Sequence, residues 1–313
     1  MKIRKAKEND IPEIVGVLKA SLGEKELMLS EAIWRFKHLE NIFGESITLL
    51  AEENDKIVGV RAFMRWKWKE SNKTYSALRA VDTATHPEHQ GKGIFKKLTL
   101  AAVKDAAEAG EHFIFNTPND LSRPGYLKMG WEPVGKISIG VKPSFSFLKF
   151  KNIPDFYNIN KNATAIQIDS LCVQWNDILS RSNTFFTPKS AEFLSWRYEN
   201  NPLQNYKVIC EESYYIAGYI KRRGKLKELR ITEFIYNKEI MNSRDLRRVI
   251  SKFEEGLSAH MISFSPDLLN LKGKKGNFGP LLVMNELNLK TQEKTDLNDI
   301  SKWNNSLGDL ELF

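Results

Sequence analysis

Gln90-Gly91-Lys92-Gly93 stands directly before a long helical run that begins at Ile94 and Phe95. Glycines at 91 and 93 carry no Cβ, so the backbone can turn tightly there and bring successive N–H groups close to a ligand. A helix N-terminus adds unpaired N–H groups and the positive end of the helix dipole. The combination is a seat for a phosphate or pyrophosphate. Lys92 can add charge to that seat, although a lysine between glycines serves equally well as a solvated side chain. Upstream, the strand Ala80-Val81-Asp82-Thr83-Ala84-Thr85 carries one carboxylate, and His86 and His89 flank the turn that follows. Asp82 is a candidate proton acceptor, while strand alternation can instead turn it toward water or a salt bridge. The histidines read as hydrogen-bonded turn residues.

The elements around this stretch form one orderly series. Lys2-Ile3-Arg4 reads as a strand, and Asn9-Asp10-Ile11-Pro12 as a capped helix start with Ile11, Ile14, Val15 and Leu18 on one face. A second helix holds Ile33 to His38. Ser46 to Ala51 and Lys56 to Met64 make a hairpin around Asn54-Asp55, its second arm continuing through Trp66-Lys67-Trp68, and Lys73 to Thr85 is the next strand. The helix from Ile94 ends at Gly110, His112 to Thr117 is a short strand, and a last strand lies near Val134 to Val141. The whole is an α+β domain, 1–145, with a mixed, mostly antiparallel sheet flanked by helices.

At 313 residues, 42% apolar and 27% charged, the chain has material for two cores. Cys172 and Cys210 offer neither a disulfide framework nor metal-ligand spacing, so no metal is expected. The start M-K-I-R-K-A-K-E-N-D has no apolar signal core, and no apolar run approaches the roughly 20 residues that span a bilayer. A cytoplasmic protein without a membrane partner is expected. The net charge of +8 divides evenly, +4 over 1–145 and +4 over 146–313. Its densest clusters, Lys221-Arg222-Arg223 with Lys225 and Lys272 with Lys274-Lys275, fall in turns, so no nucleic-acid partner is expected.

Over residues 1–142 the chain resembles the GNAT superfamily of acyl-CoA-dependent N-acetyltransferases. Gln90-Gly91-Lys92-Gly93-Ile94-Phe95 is similar to the family's Gln/Arg-x-x-Gly-x-Gly/Ala signature, and Tyr126-Leu127-Lys128-Met129-Gly130-Trp131 to its downstream Tyr-x-Lys-x-Gly-Phe pattern. Both stand in the right order on the right background. Phe95 departs from the small residue usual there; because backbone N–H groups hold the phosphates, the seat should survive, with Phe95 packed against the sheet.

The second half reads as a faded copy. Trp34-Arg35-Phe36 is echoed by Trp196-Arg197-Tyr198, Ala51-Glu52-Glu53 by Cys210-Glu211-Glu212, Leu78-Arg79 by Leu229-Arg230 and Pro118 by Pro266. Where the glycine loop would recur, Tyr236 to Ser243 contains no glycine before a helix near Arg244 to Leu257. We therefore expect a duplicated GNAT fold: a catalytic domain at 1–145, a linker at 146–162 whose aromatics pack between domains, and a degenerate domain at 163–313 without a cofactor loop. The segment from Trp303 to Phe313 is expected to dock.

The resemblance implies direct transfer of an acetyl group from acetyl-CoA to the primary amine of a small molecule, an amino sugar or peptide-like metabolite. It implies Tyr126 as the acid that protonates the departing thiolate, Thr83, Ala84 and Thr85 beside the thioester and pantetheine, Gln90 to Phe95 on the pyrophosphate, and Asn116 and Asn119 reaching the pantetheine arm. Asp82 is the candidate base, with an ordered water as the alternative. Trp34 and His38, four apart on one helix face, occupy the position that lines the acceptor cleft; they also suit a core, as the repeat of Trp-Arg-aromatic suggests. Two other readings stay open, an acyl-CoA-binding module without turnover and an aminoacyl-tRNA-dependent transferase.

Overall fold

A computed structural model of the chain describes residues 1–22, 30–146 and 159–310. In the first half, β1 (Lys2–Lys5), α1 (Ile11–Leu22), α2 (Glu31–His38), β2 (Ile47–Glu53), β3 (Lys56–Glu70), β4 (Lys73–Thr85), α3 (Ile94–Glu108), β5 (Phe113–Asn116), α4 (Arg123–Lys128) and β6 (Glu132–Lys136) follow the expected order. Next come β7 (Ile139–Pro143), β8 (Ile159–Lys161), α5 (Ala165–Ser180) and α6 (Ala191–Leu194), which runs on as a π-helical turn over Ser195–Glu199. Then follow β9 (Lys207–Glu211), β10 (Tyr214–Arg223), β11 (Leu226–Tyr236), α7 (Ser243–Glu254), β12 (Met261–Phe264), β13 (Lys274–Gly276), β14 (Leu281–Glu286), α8 (Thr291–Leu297) and α9 (Leu307–Leu310). No helix among the described residues is long and apolar enough to cross a membrane.

These strands make two seven-stranded sheets, β1-β2-β3-β4-β5-β14-β6 and β13-β7-β12-β11-β10-β9-β8. Each contains a long antiparallel hairpin, a helical crossover to a parallel strand, and two further antiparallel strands. The duplication expected from the echoes is thus present as architecture. The boundary at 145 does not follow the sheets, however. The expected last strand splits at Ile137-Ser138: β6 stays in the first sheet, while β7 crosses to pair with β12 and β13. In return β14 enters the first sheet between β5 and β6. The two sheets exchange one strand each, so neither is complete without the other half of the chain.

The exchange is reinforced by packing. The two Trp-Arg-aromatic echoes meet each other: Trp196 stacks on Phe36 with ring centroids 5.5 Å apart, and its indole N–H donates to the Phe36 carbonyl at 3.2 Å. Arg35 points outward to Glu8, whereas Arg197 is buried and donates to the Gly308 carbonyl. That carbonyl belongs to α9, which Arg79 of β4 also grips through the carbonyls of Asp309 and Leu310. The buried Lys189 ammonium lies between Glu233 at 2.7 Å and Asp309 at 3.0 Å. Trp303, Leu307 and Leu310 are buried, so the C-terminal segment docks as expected, with Phe313 outside the described residues. The expected linker aromatics from Phe147 to Tyr157 also lie outside them.

Candidate active site

The glycine loop has the geometry that its composition demands. Gly91 and Gly93 have φ of +77° and +73°, and a Cβ at either would meet nothing within 4 Å, so the backbone faces open space. No side chain caps α3; Gly93 is its left-handed N-cap, leaving the first-turn N–H groups outward. The Gln90 amide leans back to the Thr85 carbonyl at 3.4 Å, tying the loop to the end of β4. Lys92 turns from the seat toward His89 and Glu53, its ammonium 3.6 Å from the carboxylate. His89 itself lies 2.8 Å from Glu53, so it is a turn residue.

Two adjoining cavities flank this loop. One of about 490 Å³ is lined by Thr83, Ala84, Thr85, Gly91, Gly93 and Phe95. The other, about 630 Å³, shares Thr83 and Phe95 and continues to Asp82, Asn116, Asn119 and Tyr126. Through Thr117 it borders a third, of about 290 Å³, whose far wall is Tyr219, Lys221 and Arg230 of the second sheet with Leu307 and Leu310. Asn116 is 4% exposed and its side-chain oxygen has no hydrogen-bond partner. A buried acceptor without a donor is costly, and this one lines the cavity. The Asn119 oxygen, by contrast, accepts from the Ser122 amide and hydroxyl, both at 2.9 Å, and so braces the start of α4.

Phe95 is half-buried against the core cluster that the sheet, α3 and α4 share, with its ring beside Arg61 of β3. Ile94 and Leu98 take the sheet-facing positions of α3, and one residue onward the helix turns about 100°, which aims Phe95 at α4. Its ring stands edge-on to Tyr126 at 5.7 Å, and a Cβ on Gly125 would lie 3.2 Å from it. Tyr126 is 3% exposed and its phenolic oxygen accepts from Arg61 Nη1 at 2.7 Å.

Asp82 lies at a β-bulge: Arg61 pairs Thr83 and Ala62 pairs Val81, leaving Asp82 as the extra residue, with φ of +36°. The bulge presents its carboxylate to α2, where Lys37 and His38 both donate to it, His38 Nε2 at 2.8 Å. Burial alone raises the Asp82 carboxyl, but the Lys37 charge and the hydrogen bonds from His38 and Lys37 outweigh it and hold it well below the usual carboxylate range. Burial pushes the His38 imidazole down, only partly opposed by Asp82, so at neutral pH His38 is uncharged. A carboxylate held so low is a weak proton acceptor, and Asp82 is better placed to anchor Lys37 and His38 than to act as a base.

Trp34 and His38 do share a face, their rings 3.9 Å apart, but both are buried, Trp34 in a core cluster that runs through both halves. The cavity they border, about 410 Å³, is a separate one opening by Lys7, Glu8 and Ser46. His38 Nδ1 is hydrogen-bonded to Ser46 at 2.8 Å. They therefore support α2 behind Asp82 instead of lining the cavity that holds Tyr126. Two residues that do matter there escaped the sequence reading, Lys37 and Arg61. Each left a signal: Lys37 sits three residues from Trp34 on the apolar face of its helix, and Arg61 interrupts the run Ile57-Val58-Gly59-Val60 to Ala62-Phe63-Met64.

Residues 2–134 match a protein-family model described as an acetyltransferase (GNAT) domain. No curated protein sequence matches the chain. Among solved structures, a GCN5-related N-acetyltransferase from Kribbella flavida is similar with a TM-score of 0.66 at 13% identity, covering 92% of this chain and 71% of that one. A probable N-acyltransferase from Enterococcus faecalis V583 gives 0.66 at 12% identity, covering 93% and 73%. Saccharomyces cerevisiae N-myristoyltransferase, solved with bound myristoyl-CoA and inhibitors, gives 0.55 at 10% identity, covering 100% and 86%. At such identities the likeness is one of fold, and it extends over both sheets. Residues 2–134 thus match the GNAT acetyltransferase model, and the two-sheet fold as a whole is similar to that of solved GCN5-related N-acetyltransferases.

Proposed function

We propose that the chain is an N-acetyltransferase that moves an acetyl group from acetyl-CoA to the primary amine of a small molecule by direct transfer. One observation carries the reading: an uncapped helix N-terminus behind two left-handed glycines opens onto a cavity that adjoins, across Thr83 and Phe95, the one lined by Asn116 and Tyr126. The residues present fit an acyl-CoA. Gly91 and Gly93 offer backbone N–H groups where no Cβ intrudes, and the orphaned Asn116 oxygen suits a pantetheine amide N–H.

Bound acetyl-CoA supplies the activated acyl group. The chain supplies position and a proton path. Gly91, Gly93, Ile94 and Phe95 hold the pyrophosphate through backbone N–H groups, and Thr83, Ala84 and Thr85 line the thioester end. Tyr126 gives its phenolic proton to the departing sulfur. With Asp82 engaged by Lys37 and His38, the amine's proton leaves through water. The acceptor enters from the cavity beyond Thr117, where the second half forms the wall, which gives that half a role in substrate choice. The compartment consistent with such a reaction is the cytoplasm.

Thermal shift with acetyl-CoA tests the binding half of this reading, with stabilisation expected and no shift overturning it. Release of free thiol across a panel of amines tests the transfer half. Stabilisation without release over a broad panel would leave an acyl-CoA-binding module. Longer acyl-CoAs in the same assay set the preferred chain length.

A further inference from the structure

Three arginines are fully buried among the described residues, and they are not equivalent. Arg79 and Arg197 each donate twice to carbonyl oxygens of α9, Arg197 also to the Tyr206 hydroxyl, with only Nε of Arg79 left over. Arg61 is 0% exposed, makes one hydrogen bond, to Tyr126, and leaves Nε and Nη2 without a partner; no carboxylate pairs with it among the described residues. Three rings surround it, with centroids 4.5 Å (Phe63), 5.3 Å (Tyr126) and 5.9 Å (Phe95) from its central carbon. Cation–π contacts offset part of the desolvation of a buried charge, yet an arginine kept without a counter-ion remains an expense to the fold.

We propose that Arg61 is a positioning residue for acyl transfer, holding the Tyr126 hydroxyl toward the cavity and stabilising the phenolate that forms there. This rests on the reading of Tyr126 as the proton donor. A phenol has one hydrogen and two lone pairs, whereas a guanidinium can only donate. Arg61 Nη1–H therefore occupies a lone pair of Tyr126 Oη, and the tyrosine's own hydrogen must point elsewhere. Phe95 and Tyr126 face the cavity and Arg61 lies behind them, absent from its lining.

When Tyr126 acts, its O–H bond breaks, an S–H bond forms, and the electron pair stays on Oη as a phenolate 2.7 Å from the Arg61 nitrogen. A neutral phenol beside a cation thus becomes an ion pair out of water, and this contact strengthens only as the reaction proceeds. The phenolate later regains a proton from solvent, as the acceptor amine has released one. The missing counter-ion of the resting protein is then supplied by the reaction itself.

Arg61→Met separates this from a structural role. The ligand-free variant should melt a few degrees higher than wild type, since an uncompensated buried charge is replaced by apolar volume. Its affinity for acetyl-CoA should stay within about 3-fold, while kcat falls about 100-fold. Tyr126→Phe should fall similarly, and the double variant should be no slower than Tyr126→Phe alone. An acyl donor whose thiol is more acidic needs no proton on leaving and should narrow both defects. Full activity of Tyr126→Phe would overturn the acid role itself. A slow Tyr126→Phe with an Arg61→Met that keeps wild-type kcat, or that is slow only because it melts lower, would overturn the role of Arg61 alone.

Discussion

The two halves start their crossover helices in opposite ways. In the first, α3 begins at a left-handed Gly93 with no side-chain cap, its N–H groups open to a cavity. In the second, α7 is sealed: the Asn242 side chain accepts from the amides of Arg244 and Asp245, and the Asp245 carboxylate accepts from the Asn242 amide. A capping box satisfies orphan donors and places a negative charge where an anion would sit. The bulges differ likewise. The first half has Arg61 and Asp82 at its hairpin irregularity, while the second has Ala217 and Thr232, the Thr232 hydroxyl donating to the Ala217 carbonyl at 3.1 Å. One scaffold is used twice, with the helix start left open to a cavity in one half and closed by side chains in the other.

The sharpest way to break this contrast is to close the first helix as the second is closed. Gly93→Glu puts a side chain at φ of +73°, costing about 1 kcal/mol or more in strain, and a carboxylate among the phosphates. Acetyl-CoA affinity measured by calorimetry should weaken at least about 100-fold, or ~2.7 kcal/mol; unchanged affinity would mean the phosphates sit elsewhere.

A pH series probes the other distinctive pair. Unfolded, His38 protonates near its ordinary value of 6.5 and Asp82 near 3.8, and in the folded chain both do so lower. The unfolded chain therefore binds more protons as pH falls through each value, so the stability they contribute is complete above about pH 7 and is lost in two acid windows. Melting temperature should drop between pH 7 and 5, and His38→Gln should flatten that segment; an equal slope in the variant would contradict the burial of a neutral His38.

The smallest effect is expected from opening the second helix. Asn242→Ala with Asp245→Ala should remove about 1 kcal/mol of stability from the lost cap, without creating a second acyl-CoA site, since no glycine loop precedes α7. Two equivalents bound per chain in calorimetry would show that the cap alone silences that half.

How far the sequence could be read depended on how local each feature is. The glycine loop, the hairpins, the α3 crossover and the echoes are set by neighbours a few residues apart, and all are where their patterns placed them. The exchange of Ile139–Pro143 for Leu281–Glu286 left no such trace. Both strands are short and carry apolar residues that either sheet could bury, so only their long-range partners decide.

The same holds for the candidate site. Glycines at 91 and 93 by themselves determined where an anion can approach, because a missing Cβ acts through the local backbone. What Asp82 does was decided by Lys37 and His38, 45 and 44 residues away, whose donors turn a candidate base into an anchor. The setting of Arg61 was decided by Tyr126, 65 residues away, with no carboxylate paired to the guanidinium among the described residues. Charge chemistry follows the partners and the dielectric that tertiary packing assembles, and neither is written in the residues next door.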